Sequence, residues 1–212
     1  MTDLKSLLPE ELETFFGAMG ESAYRARQVF QWIHEKDVSD FAQMTNLPLP
    51  LREKLSRTSL VTTATVEKKL VSARDGTVKF LFGFADGEKV ESVLMQYKHG
   101  NTVCISTQAG CRMGCAFCAS TVNGLKRNLE PSEMLEQVQA AQRHTGRTVS
   151  NIVLMGIGEP LDNYENVIKF LKLVNHKDGM NIGLRHISLS TCGLVDRIDS
   201  LAAEGLPVTL SV

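Results

Sequence analysis

Residues 104–118 read Cys104-Ile105-Ser106-Thr107-Gln108-Ala109-Gly110-Cys111-Arg112-Met113-Gly114-Cys115-Ala116-Phe117-Cys118. Thr102 to Ser106 has the apolar, β-branched character of a buried strand. Gly110 and Gly114 then tolerate positive φ, so the following turn-rich loop can wrap Cys111, Cys115 and Cys118 inward. Three of the five cysteines thus fall at C-x3-C-x2-C spacing. Thiolates are soft ligands for zinc or iron–sulfur clusters, but a structural zinc wants four closed ligands, commonly in C-x2-C pairs, and no fourth ligand lies nearby. Free cysteines do pack in cores, yet three in eight residues between glycines make a poor core segment. Three thiolates on a cubane leave one iron open for chemistry.

Outward from that loop, strands and helices alternate. The pattern predicts a helix from about Pro131 to His144, a strand over Asn151–Met155, and a helix through Val167, Phe170, Leu171 and Val174. A strand over His186–Ser190, a helix from about Leu194 to Ala203 and a strand from Leu206 complete an α/β array with at least four parallel strands. Ligands gather at the C-terminal strand ends of such arrays. The cysteine loop, Met155-Gly-Ile-Gly-Glu-Pro160 and Ser190-Thr-Cys-Gly193 all fall at such ends. Gly156 and Gly158 permit close backbone approach, and the Glu159 carboxylate can pair with an ammonium group. The G-x-G fragment lacks the third glycine of a dinucleotide fingerprint.

Before the loop the pattern changes twice. Residues 9–57 are helical in period, with Leu12, Phe15, Phe16 and Met19, then Ala26, Val29, Phe30 and Ile33, then Leu51 and Leu55. Arg25, Arg27, Arg52, Lys54 and Arg57 could touch phosphates, but acidic residues outnumber basic ones there, so solvated helix faces are the favoured reading. From Leu60 to Tyr97 the period is two, with Asp75-Gly76 and Asp86-Gly87 at expected hairpin turns; a three-stranded meander is predicted. The divisions expected are a helical domain over 1–58, a meander extension over 59–98, and the βα array over 99–212.

A hydrophobic content of 43% is that of a globular chain, and no run approaches the ~20 apolar residues of a membrane span or the apolar core of a signal peptide. A reducing, cytoplasmic setting is expected, because the clustered cysteines are unlike a secreted disulfide framework. Net charge of −1 gives no global nucleic-acid signal.

The C-x3-C-x2-C spacing, with Phe117 before the third cysteine, resembles the radical S-adenosylmethionine enzymes. Further motifs resemble one subgroup, the RlmN family of dual-specificity RNA methyltransferases. They are Gly-Glu-Ser-Ala-Tyr-Arg-Ala-Arg-Gln-Val-Phe-Gln-Trp-Ile (20–33), Asp-Gly-Thr-Val-Lys-Phe (75–80), Val-Glu-Ser-Val-Leu-Met (90–95), Cys-Ala-Ser-Thr-Val-Asn-Gly-Leu-Lys-Arg-Asn-Leu (118–129) and Met-Gly-Ile-Gly-Glu-Pro (155–160). The resemblance implies the start of a partial (β/α) barrel, a 4Fe–4S cluster on Cys111, Cys115 and Cys118, and S-adenosylmethionine held near Gly158, Glu159 and Ser190. It implies methylation of adenosine C2 in 23S rRNA and tRNA, with one cofactor molecule methylating a protein cysteine and a second supplying a radical that activates that methyl group.

By the same resemblance Cys104 is the cysteine that releases the RNA adduct as a disulfide forms, and Glu91 the base that takes the C2 proton. RNA partners, an electron donor such as flavodoxin, no membrane and a monomeric state are implied with it. The methyl-carrying cysteine of the family lies beyond Val212, so the chain is expected to be a fragment that does not turn over alone. Without the resemblance, Glu91 reads as an exposed strand residue and Cys104 as a core thiol. Cys192 reads as a free buried thiol. Two other readings stand beside this one: the related adenosine C8-methylating enzyme, and a non-catalytic metal-binding RNA module.

Overall fold

The computed structural model describes all of residues 1–212. Its first part is helical. Strand β1 (Thr2–Asp3) precedes α1 (Pro9–Ala18), α2 (Ala23–His34) and α3 (Leu49–Thr58), and β2 (Ser59–Leu60) returns to pair with β1. Pro9 opens α1 at a position where its missing N–H costs nothing, and the Glu11 side chain accepts from the Leu8 N–H at 2.7 Å. Leu12 and Phe16, Val29, Phe30 and Ile33, and Leu51 and Leu55 turn inward, as the period of the sequence predicts. Three of the basic residues are spent on the helices themselves: Arg25 donates to Gln28, Arg52 to the Ala42 carbonyl and Lys54 to the Met19 carbonyl.

Next come β3 (Thr65–Val71), β4 (Val78–Gly83), β5 (Lys89–Tyr97) and β6 (Gly100–Cys104), each antiparallel to the one before. β6 starts two residues earlier than the apolar run suggests. A short hairpin of β7 (Gln108–Gly110) and β8 (Leu125–Asn128) follows, then α4 (Pro131–Thr145), β9 (Val149–Leu154), α5 (Tyr164–Asn175), β10 (Ile187–Ser190), α6 (Val195–Ala203) and β11 (Thr209–Ser211). Strands β6, β9, β10 and β11 are parallel neighbours. With the meander they make one seven-stranded sheet in the order β11-β10-β9-β6-β5-β4-β3.

The two faces of this sheet differ. Phe80, Phe82, Val90, Leu94, Val103, Ile105, Ile152, Leu154, Ile187 and Leu189 are buried in one cluster with Leu135 and Val138 of α4 and Phe170 and Leu171 of α5. The alternate residues, Glu91, Val93, Cys104, Val153, Ser188 and Ser190, share the opposite face, where none of them is fully buried.

The helical part is fastened to the sheet by charge as well as apolar packing. Lys5 is buried and paired with buried Glu136 of α4; Arg143 joins the same carboxylate and reaches Asp37 at 2.5 Å. Beside it His34 is buried against Phe30, and neither ring nitrogen has a protein partner. Burial, then the nearby Lys5 charge, hold its pKa at about 3 against an ordinary 6.5. The folded state therefore refuses a proton that the unfolded chain takes up below pH 6.5. Stability is unaffected above that value and falls as pH drops toward 3, at a limiting 1.36 kcal/mol per pH unit or about 2 kcal/mol by pH 5. Urea unfolding at pH 7 and pH 5 should show this loss in the parent chain, and His34→Leu should be less pH-sensitive by about that amount.

Candidate radical-chemistry site at the strand ends

The cysteine segment is a hairpin rather than a plain loop. Pairing of Gln108 with Asn128 and Ala109 with Arg127 brings its ends together, and the Cys111 N–H donates to the Gly124 carbonyl at 3.2 Å. Gly110 sits at φ +75°, and a Cβ there would stand 2.0 Å from that same Gly124 oxygen, so no other residue fits. Strands of only three and four residues carry too little periodicity to show this pairing in the sequence. Arg127 anchors it, donating to both Glu133 oxygens at 2.7 and 2.8 Å and to Asp86 in the β4–β5 turn.

Cys111, Cys115 and Cys118 line one open cavity of about 310 Å³ together with Gly158, Glu159 and Ser190. The cavity lies beyond the C-terminal ends of β9 and β10, and Met155, Gly156, Thr191 and Cys192 complete its sheet side. Three soft donors on one wall and close backbone on the other suit a cluster with an open iron facing a small polar cofactor. No group of His, Cys, Asp and Glu side chains converges on a point as the ligands of a single ion do.

Two glycines set the cavity floor. A Cβ on Gly156 would meet the Ile105 carbonyl oxygen at 2.6 Å, and one on Gly158, at φ +105°, would meet Gln108 Cβ at 2.6 Å. Glu159 is buried, and its carboxylate is already engaged by backbone. One oxygen accepts from the Leu161 N–H at 3.0 Å and the other from the Cys192 N–H at 2.8 Å, so Glu159 staples two strand-end loops together. Each oxygen keeps a further lone pair for an ammonium group.

Cys192 departs from expectation: it is exposed and lines the cavity. Although the residue is open to the cavity, desolvation of its sulfur and then the Glu159 carboxylate push its thiol up to about 11. All five cysteines are free, and no disulfide joins any two of them.

Glu91 and Cys104 do not line this cavity. They lie on the open sheet face next to it, at diagonal positions of paired strands, since Cys104 stands opposite Val93 and Glu91 follows two residues along β5. The Glu91 carboxylate meets Lys79 Nζ at 2.8 Å with both side chains about half exposed. Cys104 is mostly enclosed, and burial raises its thiol pKa, partly offset by the backbone N–H of Met155. Its backbone neighbour is thus a cavity residue.

Four-stranded parallel βα topology with a three-cysteine hairpin at the strand ends defines a radical S-adenosylmethionine protein. Residues 105–212 match the radical SAM superfamily, and the chain belongs to it. That membership implies a 4Fe–4S cluster and S-adenosylmethionine.

Residues 2–61 match the ribosomal RNA large subunit methyltransferase N-terminal domain. The chain is 53% identical over 210 residues to the probable dual-specificity RNA methyltransferase RlmN of Desulforamulus reducens, covering 99% of itself and 60% of that relative. The same name is carried by a Clostridium novyi relative, 51% identical over 212 residues, of which 62% is covered. A crystal structure of a radical SAM methyltransferase from Sphaerobacter thermophilus superposes with a TM-score of 0.91 at 43% identity, over 99% of this chain and 62% of that one. The chain thus spans about three fifths of the length of these relatives.

Proposed function

We propose that the chain is the cluster- and cofactor-binding part of an RNA methyltransferase that acts on adenosine C2 in 23S rRNA and tRNA through a methyl-cysteine intermediate. The observation that carries this reading is the convergence of Cys111, Cys115, Cys118, Gly158, Glu159 and Ser190 on one cavity at the strand ends. The names of the relatives support the RNA substrate. Adenine C2 is an electron-poor carbon between two nitrogens, closed to polar attack on a sulfonium methyl. When bound, the cluster and S-adenosylmethionine supply the one-electron chemistry this carbon requires.

In this reading Cys111, Cys115 and Cys118 hold the cluster, while Gly158, Glu159 and Ser190 receive the cofactor. Glu91 takes the C2 proton, and Cys104 closes a disulfide with the methyl-carrying cysteine to free the product. The methyl-carrying cysteine is contributed by the part of the family's length that this chain does not include. Residues 1–58 present the RNA, the strands of 59–98 widen the sheet toward it, and 99–212 carry the radical chemistry. A cytoplasmic monomer reduced by a flavodoxin-like donor completes the proposal. No helix is long and apolar enough to cross a membrane.

Metal analysis of anaerobically purified chain tests the first half. About four iron and four sulfide per chain are expected; zinc in their place sinks the enzyme reading in favour of a metal-binding RNA module. The second half needs a chain extended to the relatives' full length. Nucleoside analysis of treated rRNA and tRNA should give 2-methyladenosine, and 8-methyladenosine would move the chain to the related C8 enzymes.

A further inference from the structure

We infer that Gln108 is a positioning residue that couples the cysteine hairpin to loop 156–163, the loop proposed above to receive S-adenosylmethionine; the inference rests on that reading. Gln108 is fully buried at the start of β7. Its carboxamide is engaged on three sides. Oε1 accepts from the Glu159 N–H at 2.8 Å, and Nε2 donates to Asn128 Oδ1 and to Asp162 Oδ2, each at 2.8 Å. One amide thus touches the second strand of the hairpin and two separate points of the loop.

Backbone reinforces the seam. The Thr107 and Gln108 N–H groups both donate to the Ile157 carbonyl, at 2.9 and 3.2 Å, and Gly158 lies flat against the Gln108 side chain. Asp162 is gripped a second time by Arg112, whose Nε donates to Oδ2 at 3.0 Å. Arg112 directly follows Cys111. The Asp162 carboxylate therefore feels the hairpin both at its base, through Gln108, and beside the first cysteine, through Arg112.

Only a carboxamide of this length accepts on one side while donating twice on the other. A glutamate would keep the bond from the Glu159 N–H but would face the Asp162 carboxylate with no donor. A methionine would leave the Glu159 N–H and Asp162 without their shared partner in a dry site. Asn128 can turn its amide to suit either neighbour, so Asp162 is the partner that enforces glutamine.

The test compares the parent chain with Gln108→Met, Gln108→Glu and the double variant Gln108→Glu/Asp162→Asn, all reconstituted anaerobically. Iron and sulfide content, S-adenosylmethionine affinity by equilibrium dialysis, and amide exchange over 156–163 are measured on each. All three variants should hold parent levels of cluster, because none of the changes touches a cysteine. Gln108→Glu and Gln108→Met should bind the cofactor about tenfold or more weakly and exchange the Glu159 and Asp162 amides faster, as the loss of buried polar bonds demands. The double variant should recover part of both losses, since the introduced asparagine supplies the donor that the introduced glutamate lacks while giving up the bond from Arg112 Nε.

Parent-like affinity and exchange in Gln108→Glu, or a double variant no better than the single one, would reduce Gln108 to a space-filler and overturn the inference. A parent chain that holds its cluster and binds no S-adenosylmethionine would sink the cofactor reading of the loop. Amide exchange alone would then decide whether Gln108 couples loop to hairpin.

Discussion

Replacing Cys111, Cys115 or Cys118 singly by alanine abolishes the visible absorption of the reconstituted chain, while Cys192→Ala leaves it intact; this is the expected result with the largest effect. All four sulfurs border the same cavity, so proximity alone does not separate them. Chain geometry does. The three hairpin cysteines sit within eight residues closed by the Gly110–Gly124 contact, whereas Cys192 belongs to a different strand end, where its backbone N–H is tied to Glu159. A cubane held by three thiolates cannot spare one, because a lost ligand exposes a second iron to solvent. Retained absorption in any of the three hairpin variants would overturn the assignment, and loss in Cys192→Ala would make it a fourth ligand.

Cys104→Ala carries the second large effect, in a chain extended to the length of its relatives. Cys104 stands seven residues before Cys111 and outside the cavity, so the cluster should form normally. If Cys104 closes the disulfide that frees the product, its removal leaves the methyl-carrying cysteine bonded to RNA. Denaturing gels of anaerobic reactions with labelled RNA should show nearly all reacted RNA in a protein-linked band. Free methylated RNA at the parental rate would make Cys104 a bystander on the open sheet face, where truncation costs only modest stability. Burial keeps the thiol protonated at neutral pH, so release in the parent should quicken as pH rises toward the thiol's raised pKa.

How much of this was readable beforehand follows from the range of the interactions. The βα alternation, the meander and the strand-end positions of Glu159 and Ser190 depend on local periodicity and turn residues, and sequence carries those directly. Strand β11 was legible only as an apolar run from Leu206, and its paired part is Thr209–Ser211. The β7–β8 pairing was not legible, because it is short and separated by fourteen residues of loop. Gln108, Asp162 and Arg112 gave no signal at all: a glutamine and an arginine of the cysteine segment find an aspartate some fifty residues on only when two strand ends meet. Glu159 was readable as a strand-end carboxylate but not as the acceptor of two backbone N–H groups, since the Cys192 amide arrives from another βα unit. Cys192 is exposed where its residue type predicts burial, because it sits at the mouth of the cavity.

The turn between β5 and β6 has a meaning for sequence drift that its size conceals. Tyr97 pairs with Gly100, so only Lys98 and His99 lie between the strands. Gly100 is locked in place at φ +122°, where a Cβ would strike the Ser150 hydroxyl at 2.6 Å. Along two strands the face of a residue is a matter of odd and even. Adding one residue here would give a three-residue loop and leave Tyr97 opposite Gly100, because the buried alternation of Val90, Ser92 and Leu94 holds the register of β5. Descendants of this chain can therefore vary Lys98 and His99 and even lengthen the loop between them, but Gly100 is the one letter of the turn they must keep.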